Sequence, residues 1–408
     1  METLKILMAT MEYPPYPLGG TGRFAVNLIE DFKKKHEVTV LTNWVKDSES
    51  KLSEEEGNVV IKRLKLDSVS FLHKSASQKQ NRTVVDQRII FGLAVRKYLK
   101  KAELKQYDIL HNIDVNSASF IDYKTLNKNI KTIGTLHDYY TLTASWNPAK
   151  FPYKSSDFIY RYPHHNITKY FNVRTIRNSS KLTSNSNYVK NIAVKEAKIP
   201  EEKVSVIHHG IDYKKFNVKP AKDKYTNHTV LFIGGNMERK GAKDVIMSAP
   251  QTLKYYPDTK YIMVGDAPKK YMTEIKSFIK THNAEDNFQF VKRIPETDLV
   301  PSYQKANVFI MPSMVEALGL VYMEAMTTKT PVIGPNVGGV PEVVTEDTGF
   351  LVSPKNPEEI HKAIKAIFDN PEKSKEMGKK GNERVKNCFR KELMSKKMLE
   401  VYKETINS

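Results

Sequence analysis

One pattern constrains this chain more than any other, and it runs twice: short, nearly all-apolar, β-branched runs alternate with amphipathic segments. In the first half, 5–8, 37–41, 59–62, 108–111, 132–136 and 204–207 read as strands. Between them, 23–35, 82–104 and 188–197 carry the helical period. A strand that is apolar at almost every position must be covered on both faces, and a parallel sheet layered with helices supplies that cover. The pattern lapses over the polar stretch 217–228, then restarts at 229–234, 261–265, 288–291, 308–311 and 331–334. Farther on, Asn356, Pro357, Glu358 and Glu359 mark a helix start: a capping side chain, proline at the first helical position and acids in the first turn. Ile360, Ala363, Ile364, Ile367 and Phe368 follow as its apolar face. The expected class is therefore α/β, with two doubly wound parallel-sheet domains facing a central cleft and ligands at the carboxyl ends of the strands.

Composition narrows the class further. With 408 residues, 40% of them apolar, the chain can bury a large core without staples. Its one cysteine, Cys388, excludes an intramolecular disulfide framework and a cysteine-based zinc cluster. The densest apolar run, 89–95, is too short to span a bilayer, and the first residues lack the regions of a signal peptide. The expectation is a soluble, cytoplasmic protein. Its net charge of +19 is uneven: 35 of 65 basic but only 22 of 46 acidic side chains precede Lys219. Such a field attracts phosphates, acidic lipids or nucleic acid without distinguishing them.

Several loops at strand ends could carry chemistry. After the first strand, Gly19, Gly20 and Gly22 precede a helix expected to start at about Arg23, and free amides at a helix start suit phosphate. This turn has neither the dinucleotide-binding glycine pattern nor the Walker lysine, which disfavours a dehydrogenase or a P-loop enzyme. After the strand 229–234, Gly234 leads to Arg239, Lys240 and Gly241; a guanidinium fork beside an ammonium suits a doubly charged phosphate group. The most specific element is 312–326, where Glu316 and Glu324 flank Gly319. On one continuous helix they would lie about 80° apart. If the helix starts near Gly319, Glu316 sits in the loop before it and Glu324 one turn inside it. The amides of Gly319, Leu320 and Val321 then point at a phosphate with carboxylates on either side for hydroxyl groups. That layout suits a sugar nucleotide. Gly338 and Gly339 form another loop-to-helix start, and His137 closes the first-half strand 132–136.

Taken in order, these elements resemble glycosyltransferase family 4, retaining enzymes of the GT-B fold. The resemblance rests on Glu12-Tyr13-Pro14-Pro15 with Gly19-Gly20, Thr135-Leu136-His137-Asp138, His208-His209-Gly210-Ile211-Asp212 and Arg239-Lys240-Gly241. It continues through Glu316 and Glu324, the segment 335–343 and the segment 348–352, and so covers essentially the whole chain. It implies two Rossmann-like domains: 1–218 for the acceptor and 219–386 for a nucleotide-diphosphate sugar. It also implies that 387–408 crosses back to the first domain as a helix, with Met394, Met398, Val401, Tyr402 and Ile406 as its apolar stripe. By the same resemblance, Arg239 and Lys240 neutralise the diphosphate, Gly20 meets it from across the cleft, Glu316 holds sugar hydroxyls, Glu324 holds the ribose, and His137 touches the transferred sugar. Two departures stand out. Gly235-Asn236 replaces the family's common Arg-Leu, and Ala317-Leu318-Gly319 replaces Gly-Phe-Gly.

No Asp-x-Asp motif is placed to hold a divalent ion, so the expectation is metal-independent transfer from a UDP-, GDP- or ADP-sugar without a cofactor. The acceptor hydroxyl is expected on a lipid-linked, polysaccharide or small-molecule partner. The basic amphipathic segment 82–106 would suit an anionic membrane, with peripheral attachment to its inner face, although a sheet-covering helix is the favoured reading. Loop 67–81 and the stretch 146–165 are candidate acceptor contacts. The competing readings are a basic nucleic-acid-binding protein, for which no recognised module is present, and a phosphorylase or epimerase sharing the fold.

Overall fold

The computed structural model describes residues 3–15, 18–44, 50–66, 84–115, 126, 128–138, 170, 172–222, 224–225 and 227–408, with 84–89 as backbone only. Loop 67–81 and the stretch 146–165 lie outside the described residues. The chain divides into two compact units, Met1–Gly210 with Lys391–Ser408, and Ile211–Arg390. The division falls ahead of the polar stretch 217–228, because Ile211 and Phe216 are already buried in the second unit's core. Ile211 also donates its amide to the Phe389 carbonyl at 2.9 Å.

In the first unit, eight strands form one sheet in the order β3-β4-β2-β1-β5-β6-β7-β8. They are β1 (Lys5–Ala9), β2 (Glu37–Asn43), β3 (Ser53–Glu56), β4 (Val59–Leu64), β5 (Ile109–Asn112), β6 (Lys131–Leu136), β7 (Lys181–Ser184) and β8 (Val204–Val206). All neighbours pair in parallel except β3 with β4. The pleat sends alternate side chains to opposite faces. Ile6, Met8, Val38 and Val40 pack under helix Gly20–Phe32 and the C-terminal helix Lys391–Asn407, while Leu7, Ala9, Leu41 and Leu110 pack under helix Val84–Leu99. Phe91, Val95 and Leu99 of that last helix are buried against the sheet, as the sheet-covering reading of 82–106 expects.

In this unit two strands escaped the sequence reading for a shared reason: neither carries an apolar run. β3 is Ser-Glu-Glu-Glu at the sheet edge, turned back on β4 through Gly57 and held by an Arg63–Glu54 ion pair at 2.9 Å. β7 buries Thr183 and Ser184, which the structure satisfies by hydrogen bonding: Thr183 Oγ1 to Thr135 Oγ1 at 2.7 Å, and Ser184 Oγ to the Ser186 carbonyl at 3.1 Å.

The C-terminal helix seats Met394, Met398, Val401 and Tyr402 in the first unit's core. Each such side chain contributes about 1.5–3 kcal/mol by burial. Tyr402 also closes a buried polar chain, its hydroxyl 2.5 Å from His111 Nδ1, with His111 Nε2 2.7 Å from Thr135 Oγ1. Burial, aided by the charge of His137, pushes His111 down to about 3, so its ring is neutral. With the proton on Nε2, Tyr402 donates to His111, His111 to Thr135 and Thr135 to Thr183. Tyr402→Phe is therefore expected to cost about 1–3 kcal/mol, because it strands the buried Nδ1 acceptor. Urea unfolding checks this, and an unchanged midpoint would mean that the chain adds nothing to docking of the helix.

The second unit is a six-stranded parallel sheet in the order β11-β10-β9-β12-β13-β14. Its strands are β9 (Thr229–Asn236), β10 (Lys260–Asp266), β11 (Phe288–Val291), β12 (Val308–Ile310), β13 (Val332–Pro335) and β14 (Gly349–Val352). The expected helix after Asn356 runs Pro357–Phe368, with Asn356 Oδ1 accepting the Glu359 amide at 3.1 Å and the anticipated apolar face buried.

Candidate functional site

The second unit's candidate site is built on the carboxyl ends of β9, β12 and β13. β9 ends at Asn236, whose side chain accepts the Arg239 amide at 2.9 Å while its carbonyl accepts the Lys240 amide at 3.0 Å. The asparagine that stands where the family commonly has leucine thus folds the turn that presents the two cations. An asparagine three residues before the first cation is an Asx-turn signature, so the sequence held this signal. Gly234 lies beneath the same turn, where an added Cβ would come within 2.9 Å of Lys240 Cβ. Gly241 ends the turn at φ +79°, and a Cβ there would meet the Pro312 carbonyl at 2.2 Å.

That close approach brings Arg239 against the loop that follows β12. Its carbonyl accepts the Met314 amide at 3.2 Å, and its guanidinium Nη1 donates to the Val315 carbonyl at 3.4 Å. Lys240 Nζ forms an ion pair with the Glu316 carboxylate, both side chains only 14% exposed. Residues 76 positions apart in sequence therefore share one polar contact. The backbone of Glu316 is gripped from the other side, since Gly339 donates its amide to the Glu316 carbonyl at 3.2 Å. Gly338, at φ +61°, leaves just the room this requires: a Cβ there would lie 1.8 Å from the same oxygen.

Gly319 caps helix Leu320–Thr327 at φ +93°, so the helix starts where the sequence places it. Leu320 and Val321, both half-buried, present its first amides beside Glu316. Tyr322 anchors this start from below through its hydroxyl, 2.5 Å from the Met311 carbonyl. Glu324 sits deeper than the sequence suggested: it is 2% exposed and accepts a 2.9 Å hydrogen bond from the Tyr303 hydroxyl. The structure thus gathers Gly234, Arg239, Lys240, Glu316, Gly319, Leu320 and Val321 at one sheet edge and sets Glu324 behind them.

In the first unit the glycine turn differs from expectation. Glu12 Oε2 accepts the amides of Gly19 at 2.8 Å and of Gly22 at 3.1 Å. The carboxylate takes the place of a phosphate at two of the amides, and it lets the helix begin at Gly20 rather than near Arg23. Gly19 has no side chain to cap with, so the cap comes from seven residues upstream, which no local signal reveals. Gly20 remains exposed at the first helical position. His137 is buried, with Nε2 2.6 Å from the Ile113 carbonyl and Nδ1 2.9 Å from His209 Nε2. A carbonyl only accepts, so Nε2 of His137 carries a proton toward Ile113. Burial, reinforced by the charges of His137 and His208, holds His209 well below the ordinary histidine range. Among the described residues, no group of three or more His, Cys, Asp or Glu side chains is placed to share a metal ion.

Two parallel-sheet α/β units, the second with cations and a glycine-started helix at its carboxyl edge, define the GT-B class. Solved structures agree on the fold. Sucrose-phosphate synthase from Thermosynechococcus elongatus superposes with a TM-score of 0.76 at 21% identity, covering 98% of each chain. HepE from Anabaena in complex with UDP-glucose gives 0.71 at 18% identity, covering 98% of this chain and 100% of that one. The family model for glycosyltransferase family 4 matches residues 18–215, and that for glycosyl transferases group 1 matches 214–384. The chain belongs to the family 4 glycosyltransferases. One curated relative is the GDP-mannose-dependent monoacylated alpha-(1-6)-phosphatidylinositol monomannoside mannosyltransferase of Corynebacterium glutamicum. It is 26% identical over 209 residues, 47% of this chain and 54% of that protein. The chain spans about half the length of the curated relatives it matches.

Proposed function

We propose that the chain is a retaining, metal-independent glycosyltransferase that moves a sugar from a nucleotide-diphosphate sugar to an acceptor hydroxyl. The observation that carries this reading is the Lys240–Glu316 pair held beside the first amides of helix Leu320–Thr327. An ammonium, a guanidinium and a helix N-terminus together stabilise a diphosphate, both in the bound donor and as the leaving group gains charge. Arg239 and Lys240 take the role a divalent ion has in other transferases. Glu316, on release of Lys240 to the phosphates, accepts from sugar hydroxyls, and Glu324 accepts from the ribose. Gly20 offers its amide to the same diphosphate, and His137 orients the transferred sugar. In a retaining transfer on one face, the acceptor oxygen bonds to the anomeric carbon as the diphosphate leaves, and the diphosphate oxygen takes the acceptor proton.

The acceptor is a lipid-linked, polysaccharide or small-molecule hydroxyl, in keeping with the basic excess of the first half. Among the described residues no helix is long and apolar enough to cross a membrane, and we place the protein in the cytoplasm, with lipid acceptors reached peripherally. Relatives use GDP-mannose or bind UDP-glucose, so the donor nucleotide is tested directly. Release of nucleoside diphosphate from UDP-, GDP- and ADP-sugars, with EDTA present and a membrane-lipid extract added, is expected for one donor. The anomeric configuration of the product, read by NMR, should match that of the donor. Complete loss of release with EDTA would overturn metal independence, and an inverted product would overturn the retaining mechanism.

A further inference from the structure

Lys224 is the one lysine among the largest fully buried side chains, and it lies in the polar stretch that the sequence marks as a linker. Its Nζ donates to the carbonyls of Tyr303 at 3.0 Å and Gln304 at 3.1 Å, and lies 2.6 Å from Thr330 Oγ1. The two carbonyls belong to the last turn of helix Glu296–Lys305, where backbone acceptors lack intrahelical partners and the helix dipole is negative. Thr330 lies just beyond helix Leu320–Thr327 and ties back to it, its amide donating to the Ala325 carbonyl at 3.1 Å. One amino group thus joins the ends of two helices. The first carries Tyr303, the second Glu324, and their side chains meet at 2.9 Å. The lysine is fixed in turn, because its own carbonyl accepts from the Asn307 side chain. Asn307 Oδ1 also accepts the Thr229 amide at the start of β9.

A buried lysine is costly to keep, and burial together with the Lys329 charge pushes this one down to about 7. A leucine or methionine would fill the space without that cost, so packing alone does not explain the residue.

We propose that Lys224 is a positioning residue for Glu324: by clamping the ends of helices Glu296–Lys305 and Leu320–Thr327, it fixes the Tyr303 hydroxyl against the Glu324 carboxylate and so sets that carboxylate for the nucleotide ribose. This rests on the nucleotide reading given above. The lysine touches no substrate; its effect passes through Tyr303, and it is specific for the ribose hydroxyls.

The test titrates UDP, GDP and ADP, and the 2′,3′-dideoxy form of whichever binds, into the full chain by calorimetry. Failure of the wild type to bind any of the three would overturn the nucleotide reading itself and this inference with it. Given binding, Lys224→Met is expected to weaken the ribonucleotide about tenfold, the loss of roughly one well-placed hydrogen bond. It should leave the dideoxy form unchanged, and it should have little further effect in a Glu324→Gln background. Equal weakening of both nucleotides, or additivity with Glu324→Gln, would make Lys224 a purely structural clamp and overturn the proposal. Tyr303→Phe, which keeps the backbone carbonyls that Lys224 uses, carries the same test if Lys224→Met does not fold. Selective loss of the ribonucleotide supports the coupling, and an unchanged affinity removes it.

Discussion

Lys240→Ala is expected to lower turnover between about 10- and 150-fold, the loss of one charge-assisted contact worth roughly 1.5–3 kcal/mol in the transition state. The unliganded structure sharpens this expectation. Lys240 and Glu316 neutralise each other at a site only 14% exposed, so alanine at 240 also leaves an unpaired carboxylate beside the amides proposed for the diphosphate. Donor affinity should therefore fall along with turnover. Glu316→Gln in the same chain separates the two effects, since the double variant removes the stranded charge without restoring the lysine. Thermal stability should recover in the double variant, whereas turnover should stay low. Steady-state rates and melting curves on the single and double variants decide the matter. A near-wild-type rate for Lys240→Ala would sink the assignment of the diphosphate to this turn.

Gly338→Ala is the second large effect, and it requires no contact with substrate. An alanine at φ +61° carries a left-handed strain of about 1–2 kcal/mol. Here its Cβ would also stand 1.8 Å from the Glu316 carbonyl oxygen, a backbone atom that cannot swing aside. The turn must withdraw, the Gly339 amide must leave the same oxygen, and Glu316 loses the support that aims it. A combined cost of about 2–4 kcal/mol is expected, a melting-temperature drop on the order of 5–10 °C, and at least a roughly tenfold loss of donor affinity. Gly57→Ala is the control: its φ is +59°, yet nothing lies within 4 Å of the added carbon, so it carries the strain alone. Equal melting shifts for the two variants would show that the close approach at Gly338 does not matter.

These predictions mix what was legible in the sequence with what was not. Alternation of apolar runs and amphipathic segments identified the parallel sheets, because a strand such as β1, buried at Ile6, Leu7, Met8 and Ala9 alike, has only one kind of home. The start of helix Leu320–Thr327 was equally legible, since a glycine before a helix-forming run is a local signal. β3 and β7 were not, because their stability comes from an edge ion pair and from hydrogen bonds to distant strands rather than from their own apolar content.

The sequence by itself determined the fold class, the order of the site motifs and the residue types at the second sheet's carboxyl edge. Those follow from periodicity and short-range turn chemistry, which are properties of neighbouring residues. Tertiary structure alone decided that Lys240 pairs with Glu316 across 76 positions and that Tyr303 donates to Glu324. It also decided that Glu12 occupies the amides of Gly19 and Gly22, and that Lys224 is buried rather than solvated in a linker. Each of these is a choice of partner for a charged or polar group. Many acceptors along the chain would suit such a group equally well, and only the packing of helices on the sheets brings one of them within reach.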